Sequence, residues 1–141
     1  MRKVAIIILV FFFNFTSLNS EIVNKIEILG NKRVSKETVK IYGEIDINKD
    51  YSEKKINNII NNLYSTNFFE DVTINLSNGI LTVNLIEYPV INQLIFLGET
   101  NNKYLEEIKK IIGLKEKNSF IKNNIPKDVE TIKKLYSSLG Y

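Results

Sequence analysis

The sequence has no cysteine, no histidine and no tryptophan among its 141 residues. Without cysteine there are no disulfide bonds, so the fold must be stabilised by burial of apolar side chains alone. The absence of cysteine and histidine together removes the usual zinc ligands and the most common general base of enzymes. We therefore expect no metal site, no cofactor and no catalytic centre built on these residues.

Glycine and proline are also scarce, with six and two residues. The glycines are spread along the sequence, at positions 30, 43, 79, 98, 113 and 140, so they form no loop that could cradle a phosphate group. The adjacent carboxylates Glu70-Asp71 and Glu106-Glu107 do not form a catalytic pair. Neighbours on a strand face opposite sides, and neighbours on a helix lie about 100° apart. These observations predict that the protein is not an enzyme.

Long apolar runs are limited to one stretch of ten residues, Val4–Phe13, which follows the basic start Met1-Arg2-Lys3. Ten residues are too few for a membrane-spanning helix, which needs about 20. A basic start, a short apolar run and a polar tail predict a secretory signal over residues 1–20, cleaved between Ser20 and Glu21. The alternative is an anchor that is not cleaved.

Net charge is small once this segment is removed. The whole sequence has 19 basic and 16 acidic side chains, and loss of Arg2 and Lys3 leaves 17 against 16, a net charge of +1. A protein with this balance has no basic patch of the kind that binds nucleic acid. We therefore expect no nucleic-acid partner.

An internal repeat organises the remaining residues. Asn24–Gly30 returns as Asn92–Gly98, and Leu63-Tyr64-Ser65 returns as Leu135-Tyr136-Ser137. The offsets are 68 residues at the first pair and 72 at the second, which is the drift expected from short loop insertions. The sequence predicts a first module over residues 21–89 and an incomplete second module over residues 90–141.

The first module begins with a predicted strand, Ile22–Leu29, in which apolar and polar residues alternate. A short helix is predicted from the N-cap Ser35 to near Gly43, and a second helix from the N-cap Ser52. The second helix has an apolar stripe at helical spacing, for which we expect core packing. The stripe consists of Ile56, Ile59, Ile60, Leu63 and Tyr64.

A hairpin is predicted next, with strands Val72–Leu76 and Leu81–Leu85 on either side of the turn Asn78-Gly79. Phe68 and Phe69 precede it, and we expect at least one of them in the core; an exposed phenylalanine here would instead anchor a partner. Together these elements predict an α+β fold, a small mixed three-stranded sheet packed on two antiparallel helices. The third strand is predicted to run parallel to the first.

The second module repeats the pattern as far as its second helix. We predict a strand at Ile91–Leu97, a helix at Lys103–Ile112 and a further helix that starts at Pro126 and carries apolar residues as far as Leu139. The hairpin that corresponds to Val72–Leu85 is missing from the 141 residues. The strand and the helix stripes would then be poorly covered, so this module is expected to be loose.

The first strand of the hairpin is the predicted binding element. If Leu81–Leu85 is the middle strand, then Val72–Leu76 lies at the sheet edge, where unpaired N–H and C=O groups can pair with an extended polypeptide. The candidate protein-binding residues are Val72, Thr73, Ile74, Asn75 and Leu76. The alternative is that a neighbouring module or a loop covers this edge.

These residues resemble a known family. The strand order, the turn Ile28–Asn31, the Asn78-Gly79 hairpin and above all the junction Leu63–Val72 are similar to POTRA domains, whose junction has the pattern L(Y/F)xTGxFxxV. The sequence resembles the N-terminal part of Omp85 proteins of the BamA type, the outer-membrane protein assembly factors. It departs from the pattern at Gly98-Glu99, where the asparagine that follows Gly30 is absent.

The resemblance implies an exported receptor region at the periplasmic face of the outer membrane, followed by a β-barrel. Such regions pass unfolded outer-membrane proteins to the barrel, partly by edge-strand pairing, and periplasmic chaperones and lipoprotein subunits of the assembly complex dock on them. Because these 141 residues contain no barrel, we expect a fragment or a truncated reading frame. The alternatives are a structural spacer, a secretion-partner transporter and a membrane-anchored division protein.

Overall fold

The computed structural model describes residues 21–141, and the predicted signal segment lies outside the described residues. In sequence order the elements are β1 (Glu21–Ile22), β2 (Lys25–Leu29), α1 (Lys36–Gly43), β3 (Asp50–Tyr51), α2 (Glu53–Ser65), β4 (Phe69–Ser77), β5 (Ile80–Glu87), α3 (Asn102–Ile111), a 3-10 turn (Lys122–Asn124) and α4 (Ile125–Ser138). The α+β class is confirmed. Within residues 21–141 every helix falls short of the length and apolarity needed to cross a bilayer.

The main sheet has three strands in the order β2-β5-β4. Strand β5 lies in the middle, runs antiparallel to β4 and runs parallel to β2. This arrangement is the predicted mixed sheet, in which the last strand of the module, β5, runs parallel to the strand before the helices, β2. Strands β1 and β3 form a separate antiparallel pair.

The predicted strand Ile22–Leu29 is interrupted at Val23 and Asn24, where the backbone switches from one pairing partner to another. The Val23 amide donates to the Lys49 carbonyl next to β3, whereas the Asn24 amide donates to the Gly79 carbonyl next to β5. The backbone hydrogen bonds therefore stay satisfied across the break. The prediction of one continuous strand was wrong because the alternation of side chains does not record which strand each residue pairs with.

The core of the first module lies between the sheet and the helices α1 and α2. The strands contribute alternate residues and α2 contributes one face, as the periodicities predicted. The most deeply buried apolar side chains are Val23, Ile28, Val39, Leu63, Phe69, Leu81 and Val83. Phe69 is thus a core residue, and Phe68 packs partly buried against the same cluster.

The β4–β5 turn has the geometry that its sequence predicts. Asn78 and Gly79 have φ values of 53° and 75°, and positive φ at both central residues defines a type I′ turn. Ser77 pairs with Ile80 directly across it. This turn fixes the register of the whole hairpin.

The two predicted helix caps of the first module differ. The Ser35 hydroxyl accepts a hydrogen bond from the Thr38 amide at 3.1 Å, as expected for an N-cap. Ser52 lies at the N-cap position of α2, but its side chain makes no capping hydrogen bond. For Ser52 the predicted position is therefore confirmed and the predicted side-chain bond is not formed.

The predicted strand Ile91–Leu97 is wrong. These residues form no strand, and the nearest pairing is an isolated bridge between Val90 and Ser119. The equivalent β2 of the first module is held by β5, and no described residue supplies such a partner here. Ile95 and Leu97 consequently stay 70% and 89% exposed. The two predicted helices of this module are present as α3 and α4.

The repeat is nevertheless visible in backbone hydrogen bonds. In each module one residue donates its amide to a carbonyl of a short loop, and its own carbonyl accepts a hydrogen bond from an amide of the same loop. The loop residue whose amide donates has a positive φ, 59° at Asn48 and 67° at Lys117. These bonds join Val23 to Asn48 and Lys49, and Ile91 to Lys117 and Asn118. The two halves of the protein therefore share a local architecture that the sequence repeat predicts.

Replacing Leu63 by alanine tests this description of the core. Leu63 is fully buried, so Leu63→Ala removes buried methylene groups and leaves a cavity, with an expected loss of about 2–5 kcal/mol in the free energy of unfolding. The matched control is Leu97→Ala at an 89% exposed site, which should change it by less than about 0.5 kcal/mol. Urea unfolding of residues 21–141 measures both, and equal losses would contradict the assigned core.

Candidate edge-strand interface

The candidate binding residues 72–76 all lie in β4, at one border of the three-stranded sheet. Strand β5 occupies one side of β4, and no described strand pairs with its other side. Val72, Ile74 and Leu76 face the helices, whereas Thr73 and Asn75 are exposed on the opposite face. The predicted edge position is therefore observed, and the binding role of these residues stays a prediction.

The hairpin register decides which backbone groups of β4 are unpaired. In a two-residue hairpin the flanking residues, here Ser77 and Ile80, form a hydrogen-bonded pair, and hydrogen-bonded and non-hydrogen-bonded pairs then alternate. The amides and carbonyls of Thr73 and Asn75 consequently point to β5. Those of Ile74 and Leu76 point away from the sheet, where an added strand would lie.

One outward amide of β4 is already occupied. The Val72 amide donates to the Tyr64 hydroxyl at 3.2 Å, and that hydroxyl donates to Asp71 Oδ1 at 3.1 Å. Tyr64 is 39% exposed, so the expectation that it packs in the core was wrong. Its ring continues the apolar stripe of α2, but its hydroxyl needs a polar partner and finds one at the sheet edge.

The free part of the edge is short because both of its ends are closed. At the start of β4 the register shifts between Phe69 and Asp71, and such a bulge increases the local twist and disrupts pairing. At the other end the backbone turns at Asn78. Strand β4 contains no lysine and no proline, the residues that usually protect an edge. The open segment therefore centres on Ile74 and Leu76.

A buried carboxylate holds the end of β5 in place. Glu87 accepts hydrogen bonds from the amides of Lys32, Arg33 and Val34 at 2.8, 3.0 and 3.0 Å. The Arg33 guanidinium lies 3.2 Å from the same carboxylate and also donates to the Tyr88 carbonyl. Burial acts to raise the pKa of Glu87, but these amides and the Arg33 charge outweigh it and hold the pKa below its ordinary value.

Asp128 plays a similar part in the second module. Its buried carboxylate accepts hydrogen bonds from the amides of Gly113 and Leu114 at 2.7 and 2.9 Å. This ties the end of α3 to the first turn of α4. Neither this carboxylate nor that of Glu87 could be singled out from the sequence, because each bonds to backbone groups that no sequence pattern identifies as partners.

The adjacent carboxylates at Glu106-Glu107 are engaged in surface ion pairs. Glu106 lies 2.9 Å from Lys109, and Glu107 lies 2.9 Å from Lys110, each one helical turn away on α3. Within residues 21–141 no three metal-binding side chains are grouped so that they could hold an ion. Among the described residues, the polar contacts that shape this region are hydrogen bonds of backbone groups, with one another or with side chains such as those of Glu87 and Asp128.

Tyr64→Phe tests the contact that closes the edge. Without the hydroxyl the Val72 amide loses its partner, so its hydrogen exchange should become about fivefold faster, as expected when a hydrogen bond worth about 1 kcal/mol is lost. NMR-detected exchange in residues 21–141 measures this. The matched control is Tyr42→Phe, since no described residue hydrogen-bonds to the Tyr42 hydroxyl. Unchanged Val72 exchange in Tyr64→Phe would contradict the assignment.

Glu87→Gln tests the buried carboxylate through pH. A lowered pKa in the folded state means that the charged form stabilises the fold above the ordinary glutamate pKa of about 4.3. This stability is lost as pH falls through the lower folded-state value. We expect the wild-type urea midpoint to fall more steeply than that of Glu87→Gln below pH 5.

The control for this experiment is Leu97→Ala, at an 89% exposed position whose side chain does not titrate. Its urea midpoint should fall with pH as steeply as that of the wild-type protein. Parallel curves for the wild-type protein and Glu87→Gln would contradict the role assigned to Glu87.

Comparison with known proteins gives a family from the sequence and a matching fold from solved structures. The POTRA family model, described as "Surface antigen variable number repeat", matches residues 21–87 and again residues 89–141. "Outer membrane protein assembly factor BamA" of Neorickettsia risticii is 30% identical over 114 residues, and that of Neisseria meningitidis is 27% identical over 120 residues. The matches cover 79% and 84% of this chain, which spans only 15% of the length of either relative.

Solved structures show the same fold at low sequence identity. The N-terminal domain of Omp85 from Thermosynechococcus elongatus superimposes with a TM-score of 0.59 at 14% identity, over 85% of this chain and 52% of that one. POTRA1-2 of the periplasmic domain of Omp85 from Anabaena gives a TM-score of 0.56 at 13% identity, over 89% and 83%. The two family matches, the β-α-α-β-β first module and these structures agree: the chain belongs to the POTRA family.

Proposed function

We propose that residues 21–141 are a periplasmic receiving region of an outer-membrane β-barrel assembly factor. In this proposal unfolded outer-membrane proteins bind as an added strand at the free border of β4. The observation that carries it concerns Ile74 and Leu76, whose backbone N–H and C=O groups point away from β5 and have no partner strand among the described residues. The names of the two BamA relatives support the wider role.

The side chains around this border suit the strands of a β-barrel. Barrel strands alternate apolar and polar residues. An added strand could place its apolar side over Ile74 and Leu76, which are only partly buried, and its polar side beside Thr73 and Asn75. Since β-augmentation takes its affinity from the main chain, one border could accept many client sequences.

The proposed organisation of the protein follows the same reasoning. The mature protein would start at Glu21, with a first POTRA domain over residues 21–89 and an incomplete second one over residues 90–141. Exposure of Ile95 and Leu97 supports this division, because in the first module the equivalent segment lies beside a hairpin strand. Periplasmic chaperones and assembly-complex lipoproteins are further proposed partners, and the role is that of a non-enzymatic scaffold at the periplasmic face of the outer membrane.

A second candidate function is a structural spacer that sets the geometry between neighbouring modules. The observation that favours it is the network of Glu87, Arg33 and the Tyr88 carbonyl, which fixes the backbone just before the second module. A spacer would need this junction and would not need the border of β4. The two functions therefore differ in whether an extended peptide binds at Ile74 and Leu76.

An NMR titration separates the two functions. Isotope-labelled residues 21–141 are titrated with a ten-residue peptide of alternating apolar and polar residues that represents one barrel strand. Chemical-shift changes should be largest at residues 73–77, because a new strand pairs with the outward groups of Ile74 and Leu76. The control peptide has the same side chains but an N-methyl group on every amide, which removes its backbone donors.

Binding of the first peptide and failure of the N-methylated one would support strand addition. Equal binding of both peptides would show that side chains carry the recognition and would contradict the proposal. Shifts confined to residues outside β4, or none at millimolar peptide, would favour the spacer.

A further inference from the structure

A cleft of about 310 Å³ opens between the two modules, at the start of β4 and away from residues 72–76. The first module contributes the loop after β2 and the segment after α2, and the second module contributes the segment between α3 and α4. The residues that line the cleft are Arg33, Thr66, Asn67, Phe68, Gly113, Lys117, Asn118, Ser119, Ile121 and Asn124. It is therefore a site that neither module forms alone.

The charged groups that line this cleft are both cationic. Lys117 has no ion-pair partner among the described residues. Arg33 is held in place by Glu87 and the Tyr88 carbonyl, and its side chain is still 41% exposed. Two carboxylates, those of Glu87 and Asp128, bond to residues of the lining. Both already accept hydrogen bonds from backbone amides. Glu87 offsets the charge of Arg33, so Lys117 is the cation of the lining that no described carboxylate pairs with.

Neutral donors surround these cations. The side chains of Asn67, Asn118 and Asn124 make no hydrogen bond with other described residues and line the same cleft. Phe68 forms one wall, and its ring is fixed by edge contacts with the rings of Tyr42 and Phe69, whose centroids lie 6.1 and 6.3 Å away. A rigid wall and unpaired amide donors reduce the ordering that a ligand would have to impose.

We propose that the cleft binds a carboxylate of an extended polypeptide between Arg33 and Lys117. The carboxylate could belong to an aspartate or glutamate side chain or to the C-terminus of the polypeptide, since both offer the same two acceptor oxygens. Hydrogen bonds from cationic donors to a carboxylate are among the strongest in proteins, and arginine suits a carboxylate in particular. A volume near the lower limit for ligand sites, about 300 Å³, suits such a group with a short length of backbone.

This site goes beyond strand addition at β4 in two respects. It recognises charge, whereas the β4 border recognises a backbone. It also joins the modules, because Arg33 comes from the first and Lys117 from the second. A carboxylate bound to both restricts their relative orientation, so that ligand binding and inter-module geometry become coupled.

Three acetylated hexapeptides of glycine and serine test the proposal. The first has one central aspartate and an amidated C-terminus, the second has asparagine in its place, and the third has no aspartate but a free C-terminal carboxylate. Each is titrated into isotope-labelled residues 21–141. We expect the aspartate peptide to shift the amides of Asn67 and Asn118 together and to bind at least fivefold more tightly than the asparagine peptide.

Two lysine variants complete the test. Lys117→Gln should weaken the carboxylate peptides about fivefold or more, whereas Lys122→Gln, an exposed lysine of the same segment that does not line the cleft, should leave binding unchanged. The peptide with the free C-terminus reports whether a terminal carboxylate is accepted as well as a side chain. Equal binding of the aspartate and asparagine peptides, equal effects of the two lysine variants, or shifts in only one module would overturn the proposal.

Discussion

The arrangement of the first module depends on the central position of β5. This strand pairs in parallel with β2 on one side and antiparallel with β4 on the other, so both of its borders are satisfied. The Asn78-Gly79 turn fixes the antiparallel register, and the register decides which backbone groups of β4 face outward. The chemistry assigned to the border of β4 is thus a consequence of one two-residue turn and one doubly paired strand.

Two close contacts keep β5 in this position. A Cβ atom on Gly30 would lie 2.1 Å from the Leu85 carbonyl oxygen, and Gly30 also has a φ of 82°, so the backbone can leave β2 here only with glycine. The Glu87 carboxylate then accepts hydrogen bonds from three amides of the loop that follows β2.

An open sheet edge risks non-specific association. The Tyr64 hydroxyl, the bulge at the start of β4 and the Asn78-Gly79 turn limit the open part of the β4 edge to a few residues. The structure therefore combines a rigid support with a short reactive border.

Local sequence signals predicted the first module well, because the properties they report are local. Alternation placed β4 and β5, helical spacing placed α2, and Asn78-Gly79 placed the turn. The same signals failed at Ile91–Leu97, since a strand also needs a partner and alternation does not supply one. The roles of the Tyr64 hydroxyl, the Glu87 carboxylate and the cleft near Lys117 depend on contacts between distant residues, so the sequence alone could not reveal them.

Amide hydrogen exchange along β4, measured by NMR on residues 21–141, decides whether this border is free, because it reports whether each N–H group is paired. With a free border, Thr73 and Asn75 should be protected and Ile74 and Leu76 should exchange much faster, with Val72 in between because of Tyr64. The hairpin register thus predicts exchange rates that alternate along the strand. Uniform protection from Val72 to Leu76 would show that the border is covered, and strand addition at β4 would then be wrong.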